Sequence, residues 1–412
     1  MGVSTVTAAR IFDGQSKGLK GEEHALAFED FENLALIKTY NTNAQVPDSA
    51  GTATAILSGY KTNIGAVNVR PHKSVKKMVL NSCILKNSPP NLTERAHKKG
   101  LSVGVISTAR ITHATPAAMY GHAVDRGWEA EKEVDKRAVK AKCKGLSSQL
   151  LNNSPDITLG GGRKKFTNKQ IKDWSAKDGH IYVENAAELR AAPKEQTLLG
   201  LFTPSHMSYE ADRDDAKEPS LAEMTGFAID ALSSRGTGYV LMVEAGRVDH
   251  AHHDTNAYRA MTDMQALNEA VKVAKAKSGS DTLILVTADH SHVFTMAGYP
   301  VRGNPILGLV RHPDPESGGA AKDYAKAEDG KPYTTLGYQN GPNVRNAESP
   351  TLSDNMVQAI DFRQQSGVRM KSETHAGEDV ALYATGPGAQ NVRGVMEQDE
   401  IYGVMTRALG WE

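Results

Sequence analysis

Short apolar runs alternate along this chain with stretches of helical periodicity. Residues 101–106 (LSVGVI), 238–243 (GYVLMV), 282–286 (TLILV) and 380–383 (VALY) are apolar at most positions, the pattern of strands covered on both faces. Each ends near Gly, Ser, Thr or charged residues, as a strand's C-terminal loop does. Between them, residues 219–234 open with Pro219-Ser220 and carry Leu221, Met224, Phe227, Ala228 and Leu232 at helical spacing. Residues 255–277 repeat the pattern with Tyr258, Met261, Met264, Leu267 and Val271. The alternation predicts an α/β fold: a large central, mostly parallel sheet with helices on both faces. Residues 303–374 break the rhythm, being rich in Gly, Pro, Asp and Asn, and read as a crown-like surface excursion. The expectation is a single domain over 1–412.

Ligands of such sheets sit beyond the carboxyl ends of the strands. Two histidine-rich runs fall there: EAGRVDHAHHD (244–254) and TADHSH (287–292). Together with His375 they hold six of the chain's 14 histidines, interleaved with carboxylates. Imidazole and carboxylate are the ligands that zinc and similar divalent ions select, so the pattern points to a metallohydrolase centre. Asp249 and His253 are four apart and share a helical face. Asp289 and His290 adjoin at a strand end, with Ser291 and His292 as support. His250 and His252 read as supporting or surface groups. His375, in ETHAGED, is a distant ligand candidate that would be bland alone.

Two other segments bear on chemistry. In VPDSAGTATA (46–55) the small residues allow a tightly packed helix with Ser49 in its first turn, where free N–H groups suit a phosphate. By itself that serine reads more simply as a helix cap. In ITHATPAA (111–118), His113 and Thr115 project from the loop after the 101–106 strand, ahead of Pro116. Arg126 is a surface charge by default, and becomes a phosphate clamp only if the fold returns it to the site.

Lys+Arg and Asp+Glu both number 48, so the net charge is zero and no basic field marks a nucleic acid or membrane partner. No apolar stretch nears the roughly 20 residues that span a bilayer. The N-terminus carries no apolar signal core and says nothing directly about export. The two cysteines, Cys83 and Cys143, read on count alone as either separate buried thiols or one disulfide.

At this point the chain closely resembles alkaline phosphatase over nearly its whole length. The stretches that carry the resemblance are GVSTVTAARI, PDSAGTATA, THATPAAMYGHAVDR, LGGGRK, EPSLAEMT, VEAGRVDHAHHD, VTADHSHVF and ETHAGEDVALYATGPGA. The resemblance implies hydrolysis of small-molecule phosphate monoesters with broad specificity, through a phosphoserine on Ser49. It implies a first zinc on Asp249, His253 and His375, a second on Asp289 and His290 facing Ser49, and a magnesium on Thr115 and Glu244 with His113 nearby. Some relatives carry Asp where this chain has His113. Arg126 is then the phosphate-binding arginine, and inorganic phosphate is product and inhibitor. A metal pair about 4 Å apart clamps attacking and leaving oxygens in such reactions. A Cys83–Cys143 disulfide, a homodimer and a periplasmic or secreted location are implied as well. Sequons stand at Asn91 and Asn152, and Thr203 takes the place of an acidic ligand in the calcium site of animal members.

One departure matters. The family's chain opens with an apolar strand running into Gly-Asp-Gly-Met-Gly, whereas this sequence starts inside that motif, at Met1-Gly2-Val3-Ser4. The expectation is a sequence that begins downstream of the full chain's start, with the Asp that bridges the second zinc and magnesium lying two residues before Met1. A chain truly lacking it would be a catalytically impaired metal- or phosphate-binding homologue. A phosphodiesterase on the same scaffold is the other alternative, but diesterases usually have a Thr nucleophile and lack the Arg126 arrangement.

Overall fold

A computed structural model describes residues 1–71 and 88–411. Its strands, in chain order, are β1 (Asn33–Lys38), β2 (Ser102–Arg110), β3 (Ile157–Gly161), β4 (His180–Val183), β5 (Thr197–Leu201), β6 (Tyr239–Glu244) and β7 (Ile284–Thr287). There follow β8 (Ser291–His292), β9 (Phe294–Met296), β10 (Leu336–Gly341), β11 (Ser366–Arg369), β12 (His375–Ala376), β13 (Val380–Thr385) and β14 (Gly394–Glu397). Five of them form an all-parallel sheet in the order β4-β5-β3-β2-β6. A four-stranded sheet, β14-β1-β13-β7, is mixed: β13 runs antiparallel to both β1 and β7. Helices pack against these sheets in an α/β architecture, as the alternating pattern implies.

The helices follow their local signals. Ser220 caps Leu221–Ser233 through a reciprocal capping box with Glu223. Asn256 caps the long helix Ala257–Lys277. The two pack together, burying Met224, Ala228, Leu232 and Ala270 in the core beside β2 and β3. β2 is buried along nearly its whole length and runs to Arg110, four residues past the expected end.

β6 differs from expectation, because each of its residues is only half-buried. Among the described residues it pairs with β2 alone, and β7 pairs with β13 alone. Both strands are therefore sheet edges, where an apolar run is covered less completely.

Residues 303–374 contribute β10 and β11, which join β9 in a small separate sheet. Ile306, Leu307, Leu336 and Tyr338 from this region are buried against the helices Val3–Ser16 and Ala257–Lys277. The excursion is thus rooted in the core, not laid over it. Among the described residues no helix is long and apolar enough to cross a membrane.

Candidate active site

The carboxyl ends of β2, β6 and β7 deliver most of the predicted residues to one place. Between β6 and the helix Arg247–His253 the chain turns at Gly246, where a Cβ would lie 2.9 Å from the Ala109 side chain. That close turn puts Asp249 and His253 on one face of the short helix. β8 and β12 pair His292 with His375, which brings the lone downstream histidine to the same centre.

Asp249 is the hub. Its Oδ1 is buried, and imidazole Nε2 atoms stand around it at 3.0 Å (His292), 3.4 Å (His375), 3.5 Å (His253) and 3.9 Å (His290). None of them is aligned as a hydrogen-bond donor to it. Burial alone would raise the Asp249 carboxyl, but His292 and His375 hold it well below the usual carboxylate range. His253 and His375 each commit Nδ1 to a backbone carbonyl, that of Glu373 and of Pro47, both at 2.8 Å. Their Nε2 atoms consequently face the hub and one another, 3.1 Å apart. A buried carboxylate oxygen without an aligned donor, ringed by converging imidazole nitrogens, is a donor set that fits a divalent cation.

Asp289 and His290 lie at the end of β7, with Asp289 Oδ2 3.2 Å from His290 Nε2. Thr52 donates to the same oxygen at 3.2 Å, and Gln398 donates to the Asp289 carbonyl at 2.7 Å. Burial would raise the Asp289 carboxyl, but neighbouring positive charge, including that of His290, brings it below its ordinary value.

Ser49 opens the helix Ser49–Ser58, is 5% exposed, and places Oγ 2.9 Å from His290 Nε2. Asp48 builds this corner. Its Oδ1 accepts from Asn41 (3.0 Å), Gly51 N–H (3.1 Å) and Gly65 N–H (3.0 Å), while Oδ2 accepts from Arg126 Nη1 (3.1 Å). Gly51 is required here, since a Cβ would lie 2.5 Å from the Asn41 amide. Arg126 is thereby returned to the serine, and its other nitrogen lies 3.1 Å from His113 Nε2.

Glu244, at the end of β6, accepts a hydrogen bond from Ser107. Burial raises its carboxyl to about 7, against the pull of hydrogen bonds from Ser107 and Thr115. A bound cation would hold it ionised.

Sequence reasoning missed His206, a lone histidine in a loop with no partner motif nearby. It joins His113 and His250 in a cluster whose ring centroids are 4.1–5.4 Å apart. An arginine donates to each ring: Arg126 to His113, Arg110 to His206, Arg247 to His250. Burial, with those cations adding to it, pushes all three imidazoles down, His206 to about 2 and His250 to about 4. They are neutral acceptors that anchor arginines. His252 points away from the centre, to Tyr338 and Thr5.

Four residues named in the sequence lie outside this geometry. Cys83 falls outside the described residues, while Cys143 is buried. Asn91 is fully buried as a helix cap, so its sequon is not an accessible acceptor. Thr203 bonds the Ser205 carbonyl at 2.8 Å.

Fold and site together define an α/β protein with a helix-borne serine beside a cluster of Asp and His that fits a metal ion. Comparison with known proteins makes the class specific. The family model for alkaline phosphatase matches residues 1–411. The chain is 41% identical to the tissue-nonspecific alkaline phosphatase of Gallus gallus, covering 99% of this chain and 82% of that protein. It is 40% identical to the alkaline phosphatase of Gadus morhua, covering 99% and 89%. Among solved structures, the enzyme of the Antarctic bacterium TAB5 superposes with a TM-score of 0.69 at 21% identity, over 100% of this chain and 96% of that one. A cold-active Shewanella enzyme gives 0.71 at 22%, over 99% and 97%. A solved variant of the TAB5 enzyme carries magnesium in its M3 site. This chain belongs to the alkaline phosphatase family: it is a metal-dependent enzyme that hydrolyses phosphate monoesters.

Proposed function

We propose that hydrolysis proceeds through a phosphoserine on Ser49, at a centre of two zinc ions and one magnesium. Asp249, His253 and His375 would hold the first zinc, Asp289 and His290 the second. Thr115 and Glu244, with His113 nearby, would hold the magnesium. When bound, such ions supply Lewis acidity, lowering the pKa of a hydroxyl and neutralising charge on a leaving oxygen. The observation that carries the reading is Ser49 Oγ, at a helix N-terminus and 2.9 Å from His290, with Arg126 tethered beside it through Asp48.

The chain's own residues define the rest. Ser49 Oγ gives up its proton and attacks phosphorus in line, the Oγ–P bond forming as the bond to the alcohol oxygen breaks and that oxygen takes up a proton. Water then attacks phosphorus, the Oγ–P bond breaks, and phosphate leaves with the serine hydroxyl restored. Arg126 meets the equatorial phosphoryl oxygens with a guanidinium whose direction Asp48 and His113 fix, so little reorganisation accompanies reaction. The serine's helix adds N–H groups and a partial positive charge. Little of this grips the alcohol, so small-molecule monoesters of varied structure are substrates and inorganic phosphate is an inhibiting product.

The remaining family-derived features complete the proposal: a Cys83–Cys143 disulfide, a homodimer, an exported protein, and one domain carrying the 303–374 excursion. The test is turnover of a chromogenic phosphate monoester by the chain and by Ser49→Ala, with zinc and magnesium supplied. Loss of turnover in a folded, metal-loaded Ser49→Ala protein supports the reading, and undiminished turnover ends it.

A further inference from the structure

Behind the Asp249 centre lies a carboxylate that neither sequence motif nor family reading assigns. The Glu373 side chain is 0% exposed. Its Oε1 accepts from Val293 N–H at 2.8 Å, and its Oε2 from His292 Nδ1 at 2.8 Å. The same oxygen is 3.4 Å from His253 Nδ1. The main chain of Glu373 clasps His253 from both sides: its carbonyl accepts from His253 Nδ1 at 2.8 Å, and its N–H donates to the His253 carbonyl at 3.0 Å.

These contacts have a directional consequence. An ionised carboxylate only accepts, so His292 must carry its proton on Nδ1 and turn Nε2 toward Asp249 Oδ1, 3.0 Å away. His253, held by the carbonyl, likewise presents Nε2 to the hub. Glu373 also stands two residues before His375, on the segment that leads into β12. One buried side chain therefore ties the helix Arg247–His253, β8 and β12 together. Fully burying a carboxylate is costly unless its partners are well placed, and here every partner belongs to the centre.

We propose that Glu373 is a positioning residue, which sets the orientation of His292 and His253 and thereby the affinity of the Asp249 centre for zinc. The inference rests on the reading of Asp249 and His253 as metal ligands. Glu373 touches neither substrate nor reacting atoms, so its effect passes through the two imidazoles.

The experiment measures Zn2+ affinity of the full chain against a chelating dye, for the wild type, Glu373→Ala, Glu373→Gln and Asp249→Asn, with kcat and KM recorded at limiting and saturating zinc. Glu373→Ala is expected to weaken zinc about 10–100-fold, the usual effect of losing an outer partner of a ligand. Its kcat recovers with excess zinc while KM stays fixed, a split that general destabilisation does not produce. Glu373→Gln fills the same volume but offers one acceptor oxygen where Val293 N–H and His292 Nδ1–H need two, so its affinity falls between that of Glu373→Ala and the wild type. Unaltered zinc affinity in Glu373→Ala, or a loss shared equally by Glu373→Gln, overturns the proposal. If Glu373→Ala does not fold, Glu373→Asp, which draws the carboxylate back by one methylene, replaces it under the same criteria. Asp249→Asn separates the two claims: if it keeps zinc, the ligand reading fails, and if it alone loses zinc, only the role of Glu373 does.

Discussion

His253 and His375 meet Nε2 to Nε2 at 3.1 Å, each with Nδ1 bound to a backbone carbonyl. Two lone pairs cannot face each other at that distance in a buried site without a proton or a cation between them. In the metal-free chain that proton belongs to His253. Burial opposes its charge, but the Glu373 and Asp249 carboxylates raise it to about 9. Zinc must displace the proton, so below pH 9 its binding releases one, and affinity rises about tenfold per pH unit up to there. Calorimetric titration of zinc in buffers of different ionisation enthalpy measures the release, and a count of zero contradicts the geometry. Stability of the chelated chain runs the other way. A raised histidine contributes fully below its ordinary value near 6.5 and loses that contribution as pH rises through about 9.

Arg126 is held by Asp48 and His113, 3.1 Å from each. Arg126→Ala should weaken inhibition by inorganic phosphate about 10–100-fold, the net worth of one charged hydrogen bond at roughly 1.5–3 kcal/mol. Arg126→Lys retains the charge without the fork and should fall between. An inhibition constant for phosphate unchanged in Arg126→Ala would rule out this role.

Asp263 offers a stability prediction away from the chemistry. It is 2% exposed, and burial pushes its carboxyl up to about 8 despite a hydrogen bond from Glu210 N–H at 3.2 Å. The folded chain keeps it protonated while the unfolded chain ionises near 4, so stability is full below about pH 4 and is lost as pH rises to about 8. Asp263→Asn keeps the acceptor and cannot ionise. Its melting temperature should match wild type near pH 4 and exceed it at pH 8, where it is the more stable by on the order of a few kcal/mol. Parallel Tm–pH curves for the two proteins would contradict this.

The Cys83–Cys143 bridge is checked by peptide mass spectrometry without reduction. A linked pair closes a loop of about 60 residues, and reduction should then lower stability by up to about 4 kcal/mol. Two separately alkylated peptides would exclude it.

Much of the site was legible because its ligands sit in dense local patterns. Asp249 and His253 share one turn of helix, and Asp289 and His290 are adjacent at a strand end, so spacing alone pairs them. His206 and Glu373 were not legible. His206 is isolated in sequence, and Glu373, though two residues before His375, has no local partner; each gains its partners only through chain reversals that bring Arg110 or His292 alongside. The fold shows the same division. The helix capped by Ser220 follows local chemistry, whereas the half-exposure of β6 depends on which strand lies beside it. Residues 303–374 read as surface because Ile306, Leu307, Leu336 and Tyr338 are too widely spaced to show a period, although they are part of the core.

The most direct measurement traps the intermediate. The metal-loaded chain is mixed with a radiolabelled phosphate monoester, quenched in acid and digested, and the labelled peptide is sequenced. The account predicts phosphate on Ser49 alone, absent from Ser49→Ala. Label on another residue, or steady turnover by Ser49→Ala with no labelled peptide, would contradict it.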